Sequence, residues 1–138
     1  MHNKRNADVL RRIIVYCNEI TETIERFGDD YKVFSKDSAY RNATALCVLQ
    51  IGELTNSLTD DFKKTYDGMP WTQIKALRNI IVHSYGKIDA ESLWETITDD
   101  IPKLKVYCSG IIQQLDVLMQ ESSTEVENEH KNKGITLD

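Results

Sequence analysis

The sequence predicts an all-α protein, an antiparallel up-and-down bundle of four main helices in which one short helix carries the most polar motif. Apolar side chains recur at steps of three and four residues along most of the chain, the spacing of one helical face. No alternating strand pattern is present, and the 138 residues include only two prolines and six glycines. So few helix breakers in a chain of single-domain length favour long helices around one core.

The first helix is predicted over residues 7–27. Gly28 directly follows its last apolar residue, and glycine is the usual residue just past a helix C-terminus. Residues 29–31 are predicted to form a polar loop. The predicted core face consists of Leu10, Ile13, Ile14, Cys17, Ile20, Ile24 and Phe27.

The second helix is predicted to begin between Ser35 and Ser38, where Ser and Asp side chains can cap free amides. Glu53 is the notable polar residue beside its apolar stripe, because a carboxylate next to a buried face is usually paired. A structural salt bridge or solvent exposure is favoured over catalysis there. Residues 60–67 are predicted to form a polar loop. The stripe consists of Tyr40, Ala43, Cys47, Gln50, Ile51, Leu54 and Leu58, widened by Leu46 and Val48.

The third helix is short and is predicted to start at Pro70, since the first helical position needs no N–H. Asp89 is the predicted cap of the fourth helix, and Pro102 is expected to kink or break that helix because it removes a backbone hydrogen bond. The core face of the third helix consists of Trp71, Ile74, Leu77 or Ala76, and Ile81. The stripe of the fourth consists of Leu93 or Trp94, Ile97, Ile101, Leu104, Cys108, Ile111, Leu115 and Leu118.

The chain divides into a helical domain, residues 1–119, and an acidic, disordered tail, residues 120–138, because the apolar periodicity ends at Met119. Five acids and two lysines give the tail a charge of −3, which leaves −2 of the total −5 for the body. A nearly neutral body does not fit a general nucleic-acid coat. A local basic groove is still compatible with it.

The three cysteines, Cys17, Cys47 and Cys108, lie on apolar stripes without metal-ligand spacing. They are interpreted as reduced core thiols of a cytoplasmic protein, with no metal site and no cofactor. The N-terminal residues are polar, so no signal peptide is predicted. No apolar run approaches membrane-spanning length.

Residues 77–86 hold the densest set of chemically useful side chains. Asn79 and His83 are four residues apart and share a helical face. Arg78 points elsewhere on an ideal helix, but its long side chain can swing toward His83. Tyr85 follows the helical register near an exposed end. The segment therefore combines a fixed positive charge, an amide, an imidazole and a phenol.

Arg78 and His83 together suit reactions at phosphate. A guanidinium binds phosphate bidentately, and an imidazole takes a proton from one oxygen and returns it to another. In RNA the 2′-OH is an internal nucleophile, so no metal is required, and the products would be a cyclic phosphate and a 5′-OH. One such pair is sparse for acid/base catalysis. Two copies facing one cleft of a symmetric dimer would supply the missing groups.

The motif resembles the Arg-Asn-x-x-x-His-x-Tyr signature of the HepT-like branch of the HEPN superfamily, the toxin paired with a minimal nucleotidyltransferase. Residues 49–53 resemble the Gln-Ile-Gly-Glu stretch of that family's second helix, and Pro70-Trp71-x-x-Ile74 resembles the start of its third. Trp94 and the step from Ile101 through Pro102 to Leu104 resemble its fourth. The resemblance covers about residues 7–118.

This resemblance implies a helical homodimer with the active site at the subunit interface, acting as a metal-independent endoribonuclease toxin of a prokaryotic, type VII-like toxin–antitoxin pair. Arg78 and His83 would be catalytic, with Asn79 and Glu53 in support. The cognate nucleotidyltransferase antitoxin would attach AMP to Tyr85. The added negative charge and bulk would then block the substrate site. RNA is the implied substrate, and no membrane is involved.

Two other interpretations stay open on the residues alone. In one, the chain is a non-catalytic partner or substrate-binding subunit of a nucleotidyltransferase, and Arg78 and His83 bind phosphate without cleaving it. In the other, it is a structural dimerisation module in which these residues stabilise an interface and Tyr85 packs at a helix end. A lone histidine near the end of an amphipathic helix is more often structural than catalytic.

Overall fold

A computed structural model describes the backbone of residues 2–75 and 89–136, and the side chains of residues 3–75 and 89–121. Every regular element in these ranges is helical, which confirms the all-α prediction. Residues 71–75 are also helical, and we call them the Trp71 turn. The other elements are α1 (His2–Phe27), α2 (Tyr31–Lys36), α3 (Ser38–Thr55), α4 (Asp60–Thr65), α5 (Ala90–Glu95), a π-helical turn (Thr96–Asp100) and α6 (Ile101–Thr136).

Helix α1 packs between α3 and α6 and runs antiparallel to both. Against α3, Asn6 meets Thr59 and Phe27 meets Tyr40, so the two chains run in opposite directions. Against α6, Arg11 is 2.8 Å from Asp116, while Cys17 interacts with Cys108. These three helices supply most of the core in the described part of the chain, and the shorter elements add further buried side chains to it. Whether the third predicted helix completes a four-helix bundle stays a prediction, because most of it falls in 76–88.

The predicted core face of α1 is confirmed. Leu10, Ile13, Cys17 and Ile20 have no exposed surface. Gly28 ends the helix as predicted: its φ angle is 115°, a value that favours glycine, and its N–H donates to the Ile24 carbonyl at 2.8 Å. Gly28 therefore determines where α1 ends.

The segment 60–67, predicted as a polar loop, contains the short helix α4, so that prediction is wrong. The loop predicted at 29–31 ends at Asp30, and a short helix that the sequence did not predict, α2, begins at Tyr31. The Asp30 carboxylate accepts a hydrogen bond from the Lys32 N–H at 2.9 Å and caps α2. The Thr59 hydroxyl accepts from the Phe62 N–H at 3.3 Å and caps α4. Each short helix is docked by one buried phenylalanine, Phe34 or Phe62. The polar residues act as N-caps, and the single apolar residue gives too weak a periodicity to be recognised.

Asn6 holds the end of α3 against α1. Its side chain is 1% exposed and makes two hydrogen bonds to Thr59, both at 3.1 Å. The amide donates to the Thr59 hydroxyl, and its oxygen accepts from the Thr59 N–H. Since Thr59 also caps α4, one buried asparagine joins the start of α1 to the α3–α4 junction.

An aromatic cluster closes the opposite end of the bundle. The ring of Tyr40 lies 4.9 Å from those of both Phe27 and Phe34, and Phe34 lies 5.0 Å from Trp94. The Tyr40 hydroxyl donates to the Gly28 carbonyl at 3.0 Å. Burial raises the pKa of Tyr40 to about 12, and the charge of Asp29 adds to the effect. The cluster joins α1, α2, α3 and α5.

All three cysteines are free, buried thiols, as the sequence predicts. Burial raises the pKa of Cys17 to about 11 and those of Cys47 and Cys108 to about 12. Cys47 also donates to the Glu19 carboxylate at 3.5 Å, which holds its proton further. Thiolates are the reactive form, so these side chains are inert near neutral pH.

Pro102 is predicted to kink or break the last helix, but the helix is not broken there. The helical path continues through it, with the π-helical turn directly before it, where the Ile101 N–H donates to the Thr96 carbonyl five residues back. In a regular α-helix the proline ring would collide with the carbonyl four residues earlier. A wider turn accommodates the ring, so the predicted disruption takes the form of one π turn.

Helix α6 extends past the apolar stripe. Leu118, predicted to belong to the core face, is 55% exposed, so that prediction is wrong. The backbone stays helical to Thr136, beyond the proposed boundary at residue 119. The division into a domain and a tail stays a prediction. Among the helices of the described residues, none combines the length and the hydropathy of a membrane span.

Replacing Asn6 with Ala should lower the free energy of unfolding by about 1–3 kcal/mol, because the partly buried Thr59 N–H and hydroxyl lose their partners. Denaturant unfolding measures the change. Asn3→Ala, at an exposed position on the same helix, is the matched control and should change stability by less than about 0.5 kcal/mol. Equal stability of the two variants would contradict this role.

Stability should decline as the pH rises above about 9. The folded protein holds the protons of Cys17, Cys47, Cys108 and Tyr40 more tightly than the unfolded chain, whose thiols titrate near 9.0. The stabilisation is complete below the unfolded pKa and is lost as the pH rises toward the folded values of about 11 to 12. Each group adds at most about 1.4 kcal/mol per pH unit.

Urea unfolding at a series of pH values from neutral to alkaline measures this decline. Cys47→Ala removes one of the four groups and should give a shallower slope than the native sequence. Identical slopes for the two proteins would show that the buried thiol keeps an ordinary pKa.

Candidate functional site

The predicted site residues Arg78, Asn79, His83 and Tyr85 lie outside the described residues, which stop at 75 and resume at 89. Their roles stay predictions. The structure describes how the chain is held immediately before and after this segment. It also describes Glu53, the remaining predicted site residue.

Before the motif, the Trp71 turn is anchored by its tryptophan. The Trp71 indole N–H donates to the Tyr66 carbonyl at 2.7 Å, and its side chain is 6% exposed. The Ile74 N–H donates to the Pro70 carbonyl at 3.1 Å, which makes Pro70 the residue flanking the helix and not its first residue. The predicted start is therefore displaced by one residue. Burial of Trp71 and Ile74 confirms the predicted core face within the described turn.

Gly68 fits against the ring of Tyr107 on α6. Its N–H donates to the Tyr107 hydroxyl at 3.0 Å. A Cβ at position 68 would lie 2.8 Å from the Tyr107 ring, closer than carbon atoms pack, so a larger residue would displace that ring. The Tyr107 ring in turn meets Trp71 at 6.1 Å. This contact ties the approach to the motif onto α6.

Phe62 of α4 extends the same contact. Its ring lies 4.8 Å from that of Tyr66 and 6.1 Å from that of Trp71. Sequence analysis placed Trp71 in the core but missed its partners. The bond from Gly68 to Tyr107 spans 39 positions in sequence, and no local pattern signals such a pairing.

After the motif, Asp89 restarts the helix as predicted. Its carboxylate accepts a hydrogen bond from the Glu91 N–H at 3.0 Å and one from the Ser92 hydroxyl at 2.8 Å. The Ser92 hydrogen bond, followed by that of the Glu91 N–H, lowers the pKa of Asp89 below its usual value. Leu93, one turn later, is 5% exposed and joins the core. The segment 76–88 is thus held at both ends.

Glu53 is exposed on α3, between buried Gly52 and buried Leu54. Its exposure fits the expectation that it faces solvent or forms a structural ion pair. Leu46, seven residues earlier and therefore on the same side of the helix, is 57% exposed. The prediction that Leu46 widens the core stripe is wrong, whereas Val48, at 1% exposed, does so.

Helix α6 brings a positive charge to the Trp71 turn, the described segment that precedes the motif in the sequence. Lys103 lines one cleft together with Gln73 and Ile74 of the Trp71 turn, so the fold brings it to the approach segment. Its ammonium lies 3.2 Å from the Asp99 carboxylate. Because this ion pair is exposed to solvent, it holds the Lys103 ammonium only weakly. Lys105 lies near Cys17, on the α1 side of the helix.

Comparison with known proteins identifies the family. The sequence model described as "Ribonuclease HepT-like" matches residues 13–111. "Putative RNase MJ1380" of Methanocaldococcus jannaschii is 34% identical over 93 residues, covering 67% of this chain and 84% of that protein. "Probable ribonuclease HepT" of Thermococcus cleftensis is 32% identical over 89 residues, covering 63% of this chain and 81% of that protein. No solved structure matches. The chain therefore belongs to the HepT-like ribonuclease family.

Proposed function

We propose that this chain is a metal-independent endoribonuclease, the toxin of a type VII-like toxin–antitoxin pair in the cytoplasm of a prokaryote. The Arg78-to-Tyr85 motif carries the proposal: it lies inside the matched region 13–111 and joins phosphate-binding and proton-transferring groups. The relatives named as ribonucleases support the same reaction class.

Arg78 and His83 perform the chemistry in this proposal. Arg78 binds the scissile phosphate and stays charged throughout. One His83 accepts the proton of the 2′-OH, whose oxygen attacks phosphorus. A second, protonated His83, from the other motif of the dimer proposed below, donates a proton to the departing 5′-oxygen. The products are a 2′,3′-cyclic phosphate and a 5′-OH. RNA supplies its own nucleophile, so the reaction needs no cofactor.

Asn79 and Glu53 support this pair. Asn79 is four residues before His83, close enough on a helix for its amide to orient the imidazole. Glu53 is exposed on α3 within the same matched region. A carboxylate near Arg78 or His83 would hold the guanidinium in place or raise the imidazole pKa.

The active unit in this proposal is a homodimer with the two motifs at its interface. One Arg–His pair provides a single titrating group, whereas base and acid must act on opposite sides of the phosphate. Exposed apolar side chains support a partner surface: Leu46 is 57% exposed, on the same face of α3 as Glu53. Removing such side chains from water favours association.

Tyr85 is the proposed regulatory site. A cognate minimal nucleotidyltransferase would transfer AMP from ATP to its phenol oxygen and release pyrophosphate. The attached phosphate would place a negative charge two residues from His83 and compete with RNA for Arg78. The antitoxin would then act as an enzyme and not as a stoichiometric inhibitor.

Arg78→Ala and His83→Ala should each relieve growth inhibition and lower the rate of RNA cleavage, by about 10²–10⁴-fold for the histidine. Size-exclusion chromatography should show the same dimer for both variants. Arg26→Ala, at an exposed position in the last turn of α1, is the control and should cleave normally.

Full activity of both motif variants would contradict the site assignment. A native protein that cleaves no RNA at high concentration, yet binds the nucleotidyltransferase stably, would favour the non-catalytic partner. Loss of folding instead of activity in His83→Ala would favour the structural dimerisation module.

Co-expression with the neighbouring nucleotidyltransferase should increase the intact mass of the protein by whole AMP units. Peptide mapping should locate them on Tyr85, because its phenol is the proposed acceptor. Tyr85→Phe should stay unmodified and toxic under the same conditions, while Tyr16→Phe should be modified normally. Modification that persists in Tyr85→Phe would move the switch to another residue.

A further inference from the structure

A cleft of about 400 Å³ lies between the Trp71 turn and the start of α6, beside the π-helical turn. We call it the Asp100 cleft. The Trp71 turn comes just before the motif in the sequence: Ile74, which lines the cleft, is four residues before Arg78. The cleft is therefore adjacent along the chain to the first residue that the proposed function assigns to catalysis.

The floor of the Asp100 cleft is apolar. Ile74, Ile101 and Leu104 line it and are 8%, 2% and 2% exposed. Met69 and Pro70 form one edge. Such a floor suits a planar ring with hydrophobic faces, and sites for small ligands combine such surfaces with a few polar groups.

The rim supplies those polar groups: Gln73, Asp100 and Lys103. No residue in the described part of the chain donates a hydrogen bond to the Asp100 carboxylate, although Lys103 lies near it. Asp100 is exposed, so its carboxylate is accessible to a ligand. Partial burial raises its pKa, the charges of Asp99 and Glu95 add to the effect, and the charge of Lys103 opposes it. Hydrogen bonds from the N–H groups of a ligand would therefore stabilise the charged form of this carboxylate.

The walls of the cleft are fixed before any ligand arrives. Gly68 lies against Tyr107, and the Trp71 indole is bonded to the Tyr66 carbonyl. On the other side the π-helical turn holds Asp100 directly before buried Ile101. A preformed site loses little conformational entropy on binding.

The Asp100 carboxylate presents two acceptors and no donor at neutral pH. Among the standard RNA bases, only guanine carries two adjacent donors, N1–H and N2–H, on its Watson–Crick edge. Adenine, cytosine and uracil each pair one donor with an acceptor there, which a carboxylate would repel. Single-stranded RNA is commonly read through this edge while the base rests on a hydrophobic surface.

We propose that the Asp100 cleft is a nucleobase subsite that binds a guanine of single-stranded RNA near the scissile bond. This subsite rests on the proposed ribonuclease function and deepens it by assigning a base preference. Asp100 accepts from guanine N1–H and N2–H, while Gln73 or Lys103 donates to O6. The apolar floor contacts the face of the ring.

Equilibrium binding of short fluorescent RNAs that differ at one position tests the subsite. The full-length His83→Ala protein serves as background, so that the RNA stays intact. The guanine-containing RNA should bind about tenfold more tightly than its adenine, cytosine and uracil counterparts. In this background, Asp100→Asn should remove the preference, because an amide presents one donor and one acceptor.

Asp61→Asn is the matched control, since it makes the same chemical change at an exposed position that does not line the cleft. It should keep the guanine preference. Equal binding of all four RNAs, a preference that survives Asp100→Asn, or an equal loss in both variants would each overturn the proposal. Circular dichroism and thermal unfolding confirm that both variants fold.

The same experiment separates the two proposals. Binding is measured without cleavage, so a guanine preference that depends on Asp100 would stand even if the native protein proved unable to cut RNA. Cleavage by the native protein with no preference in binding would retain the ribonuclease and eliminate the subsite. Absence of RNA binding altogether would eliminate the subsite as well.

Discussion

Burial of one apolar stripe on α1 is the interaction on which the rest of the structure depends. Leu10, Ile13, Cys17 and Ile20 are fully buried because α1 packs between α3 and α6. Each fully buried aliphatic side chain contributes roughly 1.5–3 kcal/mol, so the stripe contributes an amount comparable with the whole net stability of a typical domain, about 5–15 kcal/mol. The other described elements attach to the surfaces that this three-helix packing creates.

The polar contacts of the fold are concentrated where chain segments change direction. Asn6 fixes the α3–α4 junction, the Trp71 indole fixes the approach to the motif, and Asp89 fixes the departure from it. These groups are local and directional, whereas the apolar packing is neither. The described hydrogen bonds on both sides of residues 76–88 come from residues outside the motif.

The sequence predicts correctly those features of the fold that depend on residues close together in the chain. The α1 stripe, the Gly28 stop and the caps at Asp37 and Asp89 could be read directly, because each depends on neighbours within a few residues. Contacts between distant residues could not be read: the short helices held by Phe34 and Phe62, and the exposure of Leu46 and Leu118. A periodic stripe shows which face is apolar but not how far a partner helix covers it. The site motif is also a local signal, so its residues could be named. Its geometry depends on residues 76–88, which the structure does not describe.

The π-helical turn before Pro102 accommodates one extra residue between α5 and α6. A regular α-helix rotates by about 100° per residue, so the two steps of four from Leu93 through Ile97 to Ile101 would overshoot the core by about 80°. The wide turn absorbs that excess and keeps all three buried. Losing one residue from 96–100 would leave Leu93 and Ile101 seven positions apart, a spacing that a regular helix keeps on one face to within about 20°. The extra residue is therefore accommodated locally, and the orientation of α5 against the aromatic cluster does not require it.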